Sequence, residues 1–265
     1  MADAPLWLIA VIMLTTFPLA VEAGYRLHRQ LTRGSADAQH QVGAGYIVSA
    51  ALALLGLLIG FTFAMAAERY ETRRQLVVDE ANAIGTTYLR AQLFDEPERS
   101  RLSGSLVQYL KARQAFSNSK GDAVGLAAAH ARTTGIQAGL WLDVRQALRT
   151  PAGVPLTTSM LQTVNQMFDL ASEREAALDA RVPADVLNTL VGFVVVTALV
   201  MGYALAAGGR RHLMASSGLF VLVAVAILLI IDLDQPRTGN VRVPQAPLDQ
   251  LAADILKTPA PSPRG

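Results

Sequence analysis

The sequence of 265 residues contains no cysteine. This absence excludes disulfides, thiolate metal sites and thiol chemistry, and it leaves the redox compartment undecided. Charge is also scarce, at 17% of residues, and the formal net charge is only +2. Between residues 68 and 186 basic and acidic residues are equally numerous, so that region offers no basic patch. The sequence therefore predicts no nucleic-acid partner.

Motifs for catalysis, cofactors and metals are missing as well. The four histidines are scattered at no metal-ligand spacing; they are His28, His40, His130 and His212. There is no glycine-rich phosphate loop, no HExxH pair and no nucleophile elbow. The sequence thus predicts no enzyme, no cofactor and no bound metal.

Hydrophobic residues make up 52% of the chain and are concentrated in blocks. The most informative block runs from Gln41 to Ala67 without a charged residue, which exceeds the ~20 residues that a helix needs to cross ~30 Å of hydrocarbon. Neither proline nor glycine occurs between Phe61 and Ile84, although the sequence becomes charged from Glu68 onward. We predict one helix, residues 41 to 90, that spans a bilayer and continues as a stalk.

Three further blocks are long and apolar enough to make four crossings in total: Pro5 to Val21, Val186 to Gly209, and Leu213 to Ile231. The first block also loosely fits a signal peptide cut after Ala23. It lacks the positive n-region of such peptides, which favours a retained transmembrane helix. Glu22 and Arg26 stand four residues apart and are expected to pair at its end.

Between the second and third crossings, turn residues divide the chain into helices with one apolar stripe each. These stripes predict a helical bundle; their apolar positions are Leu102, Leu106, Tyr109 and Leu110, then Ile136, Leu140, Val144 and Leu148, then Met160, Leu161, Val164, Met167, Phe168 and Ala171. The predicted fold is all-α, with four transmembrane helices and an extramembrane helical insertion. The predicted domains are 1–67, 68–182 and 183–234, followed by a proline-rich tail, 235–265, with a short amphipathic segment at Leu248, Leu251 and Ile255.

Loop charge predicts the sidedness of this arrangement. The two short connectors contain five arginines and one acid, Asp37; the arginines are Arg26, Arg29, Arg33, Arg210 and Arg211. By the positive-inside rule the connectors are cytoplasmic and the bundle is external. Arg69, Arg73 and Arg74 beside the bundle oppose this assignment. We expect a multi-pass protein of a bacterial inner membrane.

Small residues on the central helix indicate close helix packing. Gly56, Gly60 and Ala64 recur at four-residue spacing, which lets another backbone approach closely. The partner is either another helix of the same subunit or a neighbouring subunit.

Two sets of charged residues are the remaining candidates for a functional site. Those expected at one membrane face either pair with each other or form a ring of fixed charge; they are Glu68, Arg69, Arg73, Asp232 and Asp234. On the stalk, Asp79 and Glu80 either bind a cation or line a vestibule, or they belong to a solvated or salt-bridged helix face.

A resemblance to a known family rests on several of these residues. Gly60-Phe61 followed by Arg69-Tyr70 and Arg73 or Arg74 resembles the bestrophin pattern of Gly-Phe followed by an arginine and an aromatic residue. Two stretches are also similar to hallmark stretches of an uncharacterised bacterial bestrophin-like membrane family: Val78-Asp79-Glu80-Ala81-Asn82-Ala83-Ile84-Gly85 and Ile231-Asp232-Leu233-Asp234-Gln235-Pro236.

The resemblance implies a homo-oligomer, pentameric in bestrophins, whose second helix lines an anion pathway with a hydrophobic neck. By position, Phe61, Leu57 and Ala53 would form that neck, although alanine is smaller than the usual neck residue. The acidic calcium-binding cluster of bestrophins is reduced here to Asp232 and Asp234, so the resemblance gives little support for gating by calcium. Bestrophins also place the insertion in the cytoplasm, against the loop-charge prediction.

Two functions follow as hypotheses. The first is an oligomeric channel for a small ion, expected to be an anion, in contact with the lipid bilayer. The second is a non-conducting membrane scaffold or sensor whose helical bundle binds a partner.

Overall fold

The computed structural model describes residues 5–31, 38–118, 123–151, 153–207 and 213–257. Its α-helices are α1 (Leu6–Leu31), α2 (Ala38–Ala91), α3 (Glu98–Asn118), α4 (Ala123–Ala147), α5 (Thr157–Asp179), α6 (Ala184–Ala207), α7 (Leu213–Asp234) and α8 (Ala246–Lys257). A short 3₁₀ helix, Val154–Leu156, precedes α5. Four helical segments within this described part are long and apolar enough to cross a membrane, and they include α1, the apolar part of α2, α6 and α7. The all-α membrane fold expected from the sequence is confirmed.

Helix α2 runs without interruption from the apolar segment into the charged one, as its lack of breakers predicts. It begins three residues before the predicted Gln41, at Ala38, and ends at Ala91. Helix α1 extends past the predicted Val21 to Leu31, and Glu22 pairs with Arg26 within it at 2.8 Å. Residues on both sides of Ala23 therefore belong to one helix.

The chain forms two compact units. The first comprises Met1–Arg69 and Arg181–Val241, and the second Tyr70–Ala180 and Arg242–Gly265. The predicted tail began at residue 235, whereas residues 235–241 group with the first unit. They do so because the Asp232 carboxylate accepts hydrogen bonds from the backbone N–H groups of Asn240 (2.6 Å) and Val241 (3.2 Å).

The core of the first unit is built from apolar residues of α1, α2, α6 and α7. Phe17 of α1 packs against Phe220 of α7, with ring centroids 6.3 Å apart. Helices α1 and α6 approach most closely at Gly24 and Gly202. A Cβ atom at Gly24 would overlap the backbone carbonyl of Leu199, and one at Gly202 would overlap that of Val21. Such backbone contact between membrane helices requires glycine.

The second unit has a core that matches the predicted stripes. Leu102, Leu106, Tyr109, Leu110, Leu140, Val144, Met160, Val164, Met167 and Ala171 are all buried, while the other stripe positions pack against them. Buried Thr87 of α2 lies 3.2 Å from Thr163 of α5, hydroxyl to hydroxyl. The predicted amphipathic segment is α8, which packs on α3 and buries Leu248 and Ile255. The last eight residues of the tail lie outside the described residues.

The α1–α6 contact yields a test of packing. We expect Gly24→Ala or Gly202→Ala to lower the free energy of unfolding by about 1–3 kcal/mol, since the added methyl meets backbone that cannot rotate away. Gly192→Ala on α6 is the matched control, because its Cβ would meet no described atom within 4 Å. Thermal unfolding in detergent measures the difference. Equal melting temperatures for all three variants would contradict the close approach.

Candidate functional site

One side of the apolar part of α2 is exposed in the single chain. The predicted neck residues Ala53, Leu57 and Phe61 lie on this side, with Leu57 52% and Phe61 62% exposed. At 3.6 residues per turn they fall within an arc of roughly 80°. The opposite side of the helix is buried in the core; it presents Leu55, Thr62 and Ala66. We call the side formed by residues 53, 57, 61, 64 and 68 the open face of α2.

The predicted packing glycines border this face. Gly56, Gly60 and Ala64 are exposed, and a Cβ atom at Gly56 or Gly60 would meet no atom of the described chain within 4 Å. Within one chain, close packing therefore involves Gly24 and Gly202 rather than this stripe. Neither glycine was predicted to be a packing site, although Ala20 and Gly24 on α1, and Ala198 and Gly202 on α6, show the same four-residue spacing of small residues.

The charged residues expected at a membrane face occupy different environments. Glu68 is exposed on the open face, whereas Arg69 is half-buried. Arg73 is buried and donates hydrogen bonds to two backbone carbonyls at the end of α5, Ala177 (2.9 Å) and Ala180 (2.6 Å). A cation at this position is favourable because the last carbonyls of a helix lack partners within the helix and carry partial negative charge.

Asp232 and Asp234 both bind backbone N–H groups. Asp232 holds the turn after α7, where a Cβ on Gly239 would lie 2.6 Å from the Asp232 carbonyl oxygen. Buried Asp234 accepts a 2.9 Å hydrogen bond from the N–H of Val182, just before α6. Within the described residues no group of three or more histidine, aspartate or glutamate side chains is placed to hold a metal ion.

The two stalk acids separate. Asp79 is half-buried and accepts a 3.0 Å hydrogen bond from Gln75, one turn away on the same helix. Glu80 is fully buried and forms ion pairs through both carboxylate oxygens, with Arg113 of α3 and Arg174 of α5. The neighbouring acids thus face different surroundings.

Around Glu80 these pairs form a network that joins four helices and the tail. Arg113 also binds Glu175 of α5 at 2.7 Å, and Glu175 binds His130 of α4 at 2.8 Å. Arg174 donates a further hydrogen bond of 2.6 Å to the side-chain oxygen of Gln245, which precedes α8. We call the side chains of Glu80, Arg113, Arg174, Glu175 and His130 the buried ion network, although His130 itself lies at its exposed edge.

The surroundings of Arg113 in the network keep its guanidinium charged. Burial alone would lower the pKa of the Arg113 guanidinium, but the negative charge of Glu80 and hydrogen bonds to Glu80 and Glu175 reverse this effect, and the net shift is upward. Burial raises the pKa of the nearby Tyr109 hydroxyl, so tyrosine stays neutral beside these charges. Arg113 also stacks over Phe116, with 4.7 Å from the guanidinium carbon to the ring centroid.

Comparison with known proteins adds the family relationship. The model of the family described as Bestrophin-like domain matches residues 15–248. Two crystal structures of variants of a bacterial bestrophin homologue from Klebsiella pneumoniae are similar in fold. The first has a TM-score of 0.67 and 15% sequence identity, and the match covers 96% of this chain and 98% of the Klebsiella chain. The second has a TM-score of 0.61 and 15% sequence identity, and the match covers 93% of this chain and 97% of the Klebsiella chain. No curated protein sequence matches.

The neighbouring stalk acids provide a matched pair for testing the network. We expect Glu80→Ala to lower the free energy of unfolding by about 3–5 kcal/mol, since it leaves two buried arginines without their shared carboxylate. Asp79→Ala removes an acid one position away and should change the free energy of unfolding by about 0.5 kcal/mol or less. In a Trp7→Phe background the emission of Trp141, which packs against the core of the second unit, follows unfolding there. Similar melting curves for the two variants would contradict the network.

Proposed function

Because the chain belongs to the Bestrophin-like family, we propose that it assembles into an oligomeric membrane channel in which the open face of α2 lines a pathway for small ions. The observation that carries this proposal is the exposure of Leu57 and Phe61 on a helix flanked by open glycines.

The coverage of α2 by its own chain supports this role. Only 11% of the most apolar 18-residue stretch of α2 is buried within the chain. The corresponding share is 28% in α1 and 39% in α7. A helix that merely anchored the protein in lipid would have no need for glycines beside its exposed face, since apolar side chains of any size suit lipid. Glycines at four-residue spacing instead allow the backbone of a neighbouring copy to approach.

Leu57 and Phe61 would form the narrowest part of the pathway. Rings of apolar side chains contributed by several copies can exclude water and thereby block ions without closing the passage physically. Ala53, one turn before Leu57, is small and would leave the pathway wider at that level. Ions would pass when water enters the neck formed by Leu57 and Phe61.

The finer features of the proposal follow from the resemblance to bestrophins and from loop charge. We propose a homo-oligomer, with five copies as the first number to test, and anions as the permeating class. We further propose a bacterial inner membrane as its location, with the short connectors cytoplasmic and the helical insertion external.

Replacement of Phe61 tests the neck. In a reconstituted bilayer we expect Phe61→Ala to raise the single-channel conductance, by roughly tenfold if the apolar barrier falls by about 1.4 kcal/mol. Leu222→Ala is the control, because Leu222 is also exposed (68%) but lies on α7 rather than on the helix proposed to line the pathway, and it should leave conductance unchanged.

Two results would count against parts of this proposal. A conductance that is the same in Phe61→Ala and the wild type would refute the neck, and the absence of any current from a properly assembled oligomer would refute the channel. The second result would favour the scaffold or sensor whose helical insertion binds a partner.

Glu68 at the end of the open face tests the ion class. Glu68→Gln removes one negative charge per copy beside the pathway, so it should shift the reversal potential in a salt gradient toward the equilibrium potential of chloride. Glu22→Gln is the control, since Glu22 lies on α1, where it pairs with Arg26 at 2.8 Å. A wild-type reversal potential equal to the equilibrium potential of the cation would refute anion conduction, but the protein would still be a channel.

A further inference from the structure

Helix α4 has an exposed side that is unusually apolar for a helix of the second unit. Its exposed residues include Val124 (83% exposed) and Leu142 (60%), and between them small residues at helical spacing: Ala127, Ala128, Ala131, Gly135, Ala138 and Gly139. A helix that is apolar on all sides is normally buried. We call this side the small-residue face of α4.

A groove lies beside this face. It has a volume of about 550 Å³ and is bordered by α3 and α4, with Gln108, Ile136 and Asp143 among its lining residues. Added Cβ atoms at Gly104, Gly135 and Gly139 would meet no described atom within 4 Å. The surface is therefore concave and accessible to side chains of another molecule.

Charge on this side of α4 is positive. Arg132 and Arg145 are the exposed charged side chains at the small-residue face, while Asp143 is half-buried and accepts a 2.6 Å hydrogen bond from Ser105. His130, also exposed, is bound to Glu175 of the buried ion network.

Helix α5 of the same unit presents the opposite charge. Its exposed charged residues are Asp169, Glu173 and Asp179, and its one arginine, Arg174, is buried. Asp169 and Glu173 stand one turn apart and share their side of the helix with Gln162, Gln166 and Ala176. We call this side the acidic face of α5.

We propose that the small-residue face of α4 in one copy of the chain packs against the acidic face of α5 in the next copy. This contact rests on the proposed oligomer and identifies its surface outside the apolar segments. Two different, complementary faces on one chain make a head-to-tail contact, which generates a closed ring when the rotation between copies closes.

A second copy fits these faces better than an unrelated partner. An unrelated protein would need to match only one of them, whereas this chain carries an apolar positive face and an acidic face in the same unit. The small residues let α5 approach closely, and the ion pairs at the border fix orientation more than they add affinity, since exposed pairs are weak.

The absence of cysteine allows a direct test by disulfide trapping. Ala138→Cys on α4 and Ala176→Cys on α5 place exposed thiols on the two faces. The two single variants, carrying different tags, are expressed together in membranes and oxidised. We expect a dimer that contains both tags, and little dimer between chains with the same tag. A chain with both cysteines should give a ladder of linked copies that ends at the subunit number.

Charge reversal provides an independent measurement on the same pair. Arg132→Glu with Arg145→Glu, or Asp169→Arg with Glu173→Arg, should slow disulfide formation roughly tenfold, and combining all four changes should restore it. The restored variant also shows that each set of changes leaves the fold intact.

The outcomes separate this proposal from the channel. Mixed-tag dimers without current would support the contact and refute conduction. An assembled, conducting oligomer with no mixed-tag dimer, or with only same-tag dimers, would overturn the contact alone. A disulfide rate unaffected by charge reversal would overturn the proposed pairing and favour a different occupant of the α4 face.

Discussion

Helix α2 has to meet two requirements along its length, and the other features of the structure depend on how it meets them. One side must pack into protein, because Leu55, Thr62 and Ala66 are buried in the first unit and Glu80, Ile84 and Thr87 in the second. Each unit also leaves part of the helix exposed, as Phe61 shows in the first and Leu89 in the second. The helix can do this because no proline or glycine interrupts it between Phe61 and Ile84.

The ion pairs of Glu80 fix the second unit to this helix. Burying a carboxylate is costly unless it is paired and hydrogen-bonded, and Glu80 meets this condition with one arginine at each oxygen. Arg73 plays a similar structural part, since it binds the last carbonyls of α5. These side chains lie in or near stretches that resemble family hallmarks, and their contacts give those stretches a physical role in holding helices together. Asp232 and Asp234 do the same through backbone N–H groups.

Much of the fold is predictable from the sequence because local patterns determine it. The apolar stripes of α3, α4 and α5 identify buried residues such as Leu106 and Val164. Long-range pairing is not local: Glu80 meets Arg113 and Arg174 across separations of 33 and 94 residues, and nothing beside Glu80 in the sequence identifies either partner. Similarly, the apolar part of α2 is hydrophobic on every side, so its sequence alone cannot indicate which side is buried. The burial of Leu55 and Ala66 in the folded core is what defines the open face.

The proposed function depends on what covers the open face in the membrane. A cryo-EM structure of the assembled protein in lipid nanodiscs tests this most directly. We expect Leu57 and Phe61 of all copies to point toward one common axis, with Gly56 and Gly60 against a neighbouring copy. A structure in which Phe61 faces lipid, with no second copy beside the two glycines, would contradict it.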